Sequence, residues 1–100
     1  MNKTLSVMGI ARKAGKLLTG HDAVMLSVRN NRALMVIVTS DASERHLREL
    51  EAAGFQGKLI KLAAKMDEAG YMTGKRSCIF AVEDEGFVKA IDKTLNEEGI

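Results

Sequence analysis

The chain has 100 residues, 46% of them hydrophobic and 28% charged, with 15 Lys and Arg against 13 Asp and Glu and a formal net charge of +2. This length is expected to form one domain over residues 1–100, with enough core to need no metal or disulfide staple. The lone Cys78 excludes an intramolecular disulfide, and no apolar run nears the ~20 residues of a bilayer span or follows a signal-peptide layout, so the expectation is a soluble protein of the reducing cytoplasm.

Leu5, Met8, Ile10 and Ala11 recur with roughly helical spacing and stop at Gly15, which suits a left-handed C-terminal cap, predicting a first helix over 3–14. Thr19-Gly20-His21-Asp22 places a hydroxyl cap three residues before an acid. Val24, Leu26 and Val28 follow until Asn30-Asn31, giving a second helix near 20–30. Leu34 to Val38 is an unbroken, partly β-branched run, as expected of a strand covered on both faces. Asp41 is the candidate cap of a third helix near 42–53, with Glu44 three residues on and Leu47, Leu50 and Ala53 facing inward. The spacing then predicts a strand over 58–62, a short helix over 66–72, a strand over 77–82 and a last helix over 85–95 carrying Phe87, Val88, Ile91 and Leu95. This alternation makes an α/β chain folded as a three-layer α/β/α sandwich the natural architecture.

The small net charge hides an asymmetry, because residues 1–82 carry 13 basic and 7 acidic side chains while residues 83–100 carry 2 and 6. A basic body suits a polyanion, which responds to the local field rather than the total, yet composition alone is better explained as ordinary solvated surface. Gly15 to Gly20 has the glycine spacing of a phosphate-binding loop, but His21 and Asp22 stand where its Lys and Ser/Thr belong. Thr73-Gly74-Lys75-Arg76-Ser77 fails likewise, since Ala69 occupies the position of the first glycine. No dinucleotide fingerprint occurs. His21, His46 and Cys78 fall on three different elements, so no metal or other cofactor is expected. Asp41, Ser43 and His46 crowd into the first turns of one helix, where a helix cap and an exposed histidine explain them better than catalysis does. What remains is a set of residues at element ends. Arg12, Lys13 and Lys16 flank the first helix, Gly20 opens the second and Lys75-Arg76 precede the last strand, each placed where a phosphate can be met by side chains or free N–H groups.

Three stretches carry a resemblance: Met8 to Gly20, Leu34 to Ser43 ending Thr39-Ser40-Asp41-Ala42-Ser43, and Ala81 to Ile91. Together they resemble the kink-turn-binding ribosomal protein family, which includes archaeal and eukaryotic large-subunit ribosomal proteins and the core protein of box C/D ribonucleoproteins, nearest its bacterial YlxQ-like branch. The resemblance spans essentially the whole chain in order and implies a mixed four-stranded sheet. It further implies a non-catalytic partner of structured, kink-turn-like or ribosomal RNA, ribosome-associated or regulatory. The family opens its second helix with Gly-x-Asn-Glu-x-x-Lys, set against the tandem sheared G·A pairs of the RNA. Here Gly20 matches, whereas Asp22, Ala23 and Leu26 stand at the Asn, Glu and Lys positions. Ionised Asp22 only accepts hydrogen bonds, and Ala23 and Leu26 make no polar contact, so base contacts worth ~1–3 kcal/mol each are forgone. The loop before the last strand, which meets a flipped nucleotide in archaeal members, here carries Lys75 and Arg76 and is expected to meet phosphate instead. The RNA-binding residues so implied are Lys13, Lys16, Gly20, His21, Asp22, Lys75 and Arg76, with no catalytic or metal residue. The alternative is a protein-interaction module on the same fold that has lost kink-turn binding and docks a protein through its acidic last helix; no membrane partner is expected.

Overall fold

In a computed structural model that describes residues 2–97, the chain forms α1 (Lys3–Lys13), β1 (Leu17–Thr19), α2 (His21–Arg29), β2 (Met35–Val38), α3 (Glu44–Ala52), β3 (Lys58–Lys61), α4 (Met66–Thr73), β4 (Ile79–Val82) and α5 (Glu85–Glu97). The two unbroken apolar runs, β2 and β4, are buried at every residue and pair antiparallel at the centre of the sheet. Sheet order is β1-β4-β2-β3, with β1 antiparallel to β4 and β3 parallel to β2. The period of two in a strand divides their side chains between two cores. Met35, Ile37, Phe80 and Val82 pack with Leu5, Met8, Ala11, Ala69, Ile91 and Leu95, beneath α1, α4 and α5. Val36, Val38, Ile79 and Ala81 pack with Val24, Met25, Val28 and Leu50, beneath α2 and α3. Each buried Val, Leu, Ile, Met or Phe among these contributes ~1.5–3 kcal/mol of transfer free energy. The expected three-layer sandwich with a mixed four-stranded sheet is therefore the fold observed.

Three local expectations are corrected. The spacing shows three strands, but Leu17-Leu18-Thr19 is a fourth, too short for any period and enclosed between Gly15 (φ 75°) and Gly20 (φ 94°). Thr19 does not cap α2: Gly20 holds that position, in a positive-φ extended conformation (φ 94°, ψ 153°) that essentially only glycine adopts and that costs an L residue ~1–3 kcal/mol. Asp41 does not cap α3, whose N-cap is Ser43; instead its Oδ1 accepts from Thr39 Oγ1 (2.7 Å) and from the first backbone N–H of α4, at Met66 (3.0 Å). The helices that do close on side-chain caps are α1, where Asn2 accepts from Leu5 N (3.1 Å), and α5, where Asp84 accepts from Phe87 N (3.0 Å). The edge strand β3 is exposed along most of its length and bears Lys58 and Lys61 at its ends, charges that discourage further strand pairing.

Candidate functional site

Because β4 runs antiparallel to both β1 and β2, the start of β4 and the ends of β1 and β2 meet at one end of the sheet. Gly20 leaves β1 there, and its N–H points at Ile79 O (3.2 Å) and Ser77 Oγ (3.1 Å). The buried Ser77 hydroxyl in turn donates to Ile79 O (2.7 Å). One serine thus joins the first turn of α2 to the loop 74–77. That loop is held from behind. Thr73 Oγ1 donates to Ala69 O (2.9 Å) and reaches Lys75 O (3.2 Å), Gly74 takes the left-handed cap of α4 at φ 85°, and Arg12 Nη1 donates to Thr73 O (3.2 Å). A Cβ at Gly70 would lie 2.8 Å from Arg76 Cα, so the loop folds directly onto α4.

Of the residues expected to bind RNA, Gly20, His21, Asp22, Lys75 and Arg76 occupy this edge. Lys13 ends α1 directly after Arg12, whose guanidinium reaches Thr73 O, and Lys16 does not share the edge. Lys16 accepts from Glu83 N (3.3 Å), at the far end of β1, roughly 13 Å of strand away from Gly20. Arg76 pairs with Asp67 of α4, which raises its pKa further, while Lys75 is exposed and has no ion pair among the described residues. His21 lies between two carboxylates, Glu49 of α3 on Nε2 and Asp22 on Nδ1 (3.1 Å). The hydrogen bond to Glu49, and secondarily that to Asp22, raises the His21 pKa, and the same bond holds Glu49 below the usual carboxylate range. Arg45 completes the group by donating to Glu49 (2.8 Å). Asp41 is likewise held low, chiefly by the Thr39 hydroxyl.

His46 is half-buried rather than exposed, with its ring centroid 5.5 Å from that of His21 and its Nδ1 3.7 Å from Cys78 Sγ. Burial raises the Cys78 pKa, which keeps the thiol protonated and poorly nucleophilic. Among the described residues no three His, Cys, Asp or Glu side chains are gathered as metal ligands. The exposed face of α2 carries Asp22, Ala23 and Leu26, the last 58% exposed.

Sequence reasoning misses Ser77, Glu49 and Arg45, since each acts through a contact with a residue distant in the chain. It also misses Tyr71, which is 88% exposed on α4 immediately before the loop. The signal for Tyr71 was a single aromatic residue among the polar positions of a short helix.

No family model matches the chain. RNA-binding protein YlxQ of Enterococcus faecium is 32% identical over 89 residues, covering 87% of this chain and 85% of that protein. RNA-binding protein YlxQ of Bacillus subtilis strain 168 is 28% identical over 92 residues, covering 90% and 92%. Among solved structures, a protein of unknown function from Bacillus halodurans C superposes with a TM-score of 0.83 at 27% identity over 96% of this chain and 99% of that one. The Giardia lamblia 15.5kD RNA binding protein shares the fold at a TM-score of 0.72 and 11% identity, over 95% of this chain and 83% of that one.

Proposed function

The chain belongs to the YlxQ family, and we propose that it binds structured RNA of the kink-turn type as a single-domain, non-catalytic, ribosome-associated or regulatory factor in the cytoplasm. The observation that carries this reading is the hydrogen bond from Gly20 N to Ser77 Oγ (3.1 Å). It makes one continuous edge of the two segments that the family resemblance assigns to RNA. In the proposed complex Gly20, lacking a side chain, lets the backbone of α2 approach the kink, and the N–H groups of its first turn face the polyanion. Lys75 and Arg76 meet phosphates, while His21, whose two ring nitrogens are held by Glu49 and Asp22, offers the RNA its ring face. Asp22, Ala23 and Leu26 supply few donors to base edges, so recognition rests on the shape of the RNA and its backbone more than on sequence. Lys16, at the other end of β1, and Lys13, at the end of α1, contribute long-range attraction.

Isotope-edited NMR tests the placement. On addition of a kink-turn RNA, amide resonances of Gly20 to Asp22 and Gly74 to Ser77 should shift most and those of the β3 edge least. Shifts centred on β3 or α5 would refute the proposed edge.

A second reading, a protein-docking module, draws on the 58% exposure of Leu26 beside the exposed Ala23, an apolar strip on α2. The last helix supports it less, because Asp92 pairs with Lys58 and Glu97 with Lys3 (3.5 Å), which spends much of its acidity within the molecule.

A further inference from the structure

His21 is the first residue of α2 and follows Gly20, whose N–H reaches Ser77 Oγ, so its ring belongs to the proposed RNA edge. Both ring nitrogens meet carboxylates: Nε2 that of Glu49 on α3, and Nδ1 that of Asp22 on α2 (3.1 Å). A neutral imidazole has one N–H and one lone pair, whereas an imidazolium has two N–H groups. This geometry therefore satisfies both carboxylates only when His21 is charged. The other groups around the ring do not compete for them with a second negative charge. Arg45 of α3 donates to the remaining Glu49 oxygen (2.8 Å), and His46 of α3, its ring centroid 5.5 Å away, turns Nδ1 to the Cys78 thiol (3.7 Å), which burial keeps neutral. Glu49 first, and then Asp22, raise the His21 pKa above its ordinary value of 6.5. The two carboxylates respond differently to loss of the proton. The Glu49 side chain is mostly covered and keeps Arg45, while that of Asp22 is fully exposed and has no other partner among the described residues. Deprotonated His21 thus keeps its single N–H for Glu49 and releases Asp22 in the first turn of α2. With His21 charged, the two cations of this corner offset its two carboxylates. Without that charge, an unneutralised carboxylate faces the polyanion well within one screening length.

We propose that RNA binding at this edge is coupled to one proton: charged His21, bridging Glu49 and Asp22, is the RNA-competent form, and its deprotonation releases Asp22 to repel the phosphate chain. This rests on the RNA-binding reading above and adds a control to the same site. Coupling is reciprocal, so RNA that favours the charged form draws a proton from solvent as it binds.

The test is the Kd for one kink-turn RNA, measured by anisotropy from about pH 6 to about pH 8.5 at constant ionic strength, for the wild type, His21→Gln and Asp22→Asn. Wild-type binding should weaken about fivefold or more across this range, the lower end of ordinary coupling between two sites. His21→Gln should retain only the pH dependence that belongs to the RNA. Asp22→Asn, which keeps the imidazole but has no carboxylate to release, should fall between the two. Calorimetric titration in two buffers of different ionisation enthalpy should show proton uptake on binding by the wild type and none by His21→Gln. In the wild type itself, the His21 imidazole resonance should titrate at higher pH with RNA than without it. Parallel Kd profiles in wild type and His21→Gln, or a His21 resonance that titrates at the same pH with and without RNA, would overturn this inference while leaving the RNA-binding reading in place. No binding of the kink-turn RNA to the wild type at any pH in the range would overturn the reading itself.

Discussion

Restoring the family's polar residues to the start of α2 is the sharpest mutational test of where RNA is read. The variant is Asp22→Asn, Ala23→Glu and Leu26→Lys combined. All three positions are exposed, Leu26 at 58%, so the new lysine and glutamate project into water and incur no burial penalty. Intrinsic helix preference differs by only a few tenths of a kcal/mol per exchange. Removing the Asp22 charge from the first turn forgoes ~0.3–1 kcal/mol of helix-dipole stabilisation, which the glutamate introduced one residue later largely offsets. The carboxamide oxygen at position 22 also remains able to accept from His21 Nδ1, 3.1 Å away in the wild type. The fold is thus expected to melt within a few degrees of the wild type. On the binding side, each regained base contact contributes ~1–3 kcal/mol, so two of them tighten kink-turn binding by about 30-fold or more. Thermal melting comes first, then anisotropy titration against a kink-turn RNA and against the same RNA with its G·A pairs replaced. Gain confined to the intact kink-turn is expected. A folded variant that binds the intact RNA no better than wild type would refute the assignment of this helix start to RNA and favour the docking reading.

Lys75→Ala and Arg76→Ala should each weaken binding and make the slope of log K against log salt shallower by about one unit or less, and unchanged slopes in both would place the loop away from the RNA. Gly70→Ala, which at an unobstructed helix position would stabilise by ~1 kcal/mol, should instead destabilise by ~1–3 kcal/mol in urea unfolding, because its Cβ meets Arg76 Cα at 2.8 Å; a stabilised variant would contradict that packing. The His21 pKa is raised by Glu49 and Asp22, so the stabilisation from its charged form is complete below the ordinary value of 6.5 and lost as pH rises through the higher folded value. The melting temperature should accordingly fall between about pH 6 and about pH 8 more steeply in wild type than in His21→Gln, and parallel profiles would show that the ion pair is not maintained in solution.

What could be read from the sequence follows the range of the interactions concerned. β2 and β4 announce themselves because burial on both faces demands consecutive apolar residues, Met35 to Val38 and Ile79 to Val82. β1 does not, since three residues between two glycines carry no period and are defined only by pairing with β4, some 60 residues later. Asp41 illustrates competition between near and far. Its spacing to Glu44 is that of a cap, yet its carboxylate is taken by Thr39 and by the N–H of Met66, which the topology brings alongside. The candidate edge divides in the same way. Gly20, His21, Lys75 and Arg76 are visible as element-end residues, while their convergence through Ser77 spans 57 positions and becomes visible only in three dimensions. Leu26 shows the limit of hydrophobic pattern, because an apolar residue on the outer face of a helix follows the same periodicity rules as one in the core until the sheet is placed.

The central claim is that this edge recognises a kinked RNA rather than phosphate alone. Titration of the wild-type protein with a kink-turn RNA and with a straight duplex of matched length and composition, at one salt concentration and again at a higher one, tests it most directly. Phosphate attraction weakens with salt in both complexes, so binding to the kink-turn should be tighter at both concentrations. Equal affinities for the two RNAs at each salt concentration would contradict it.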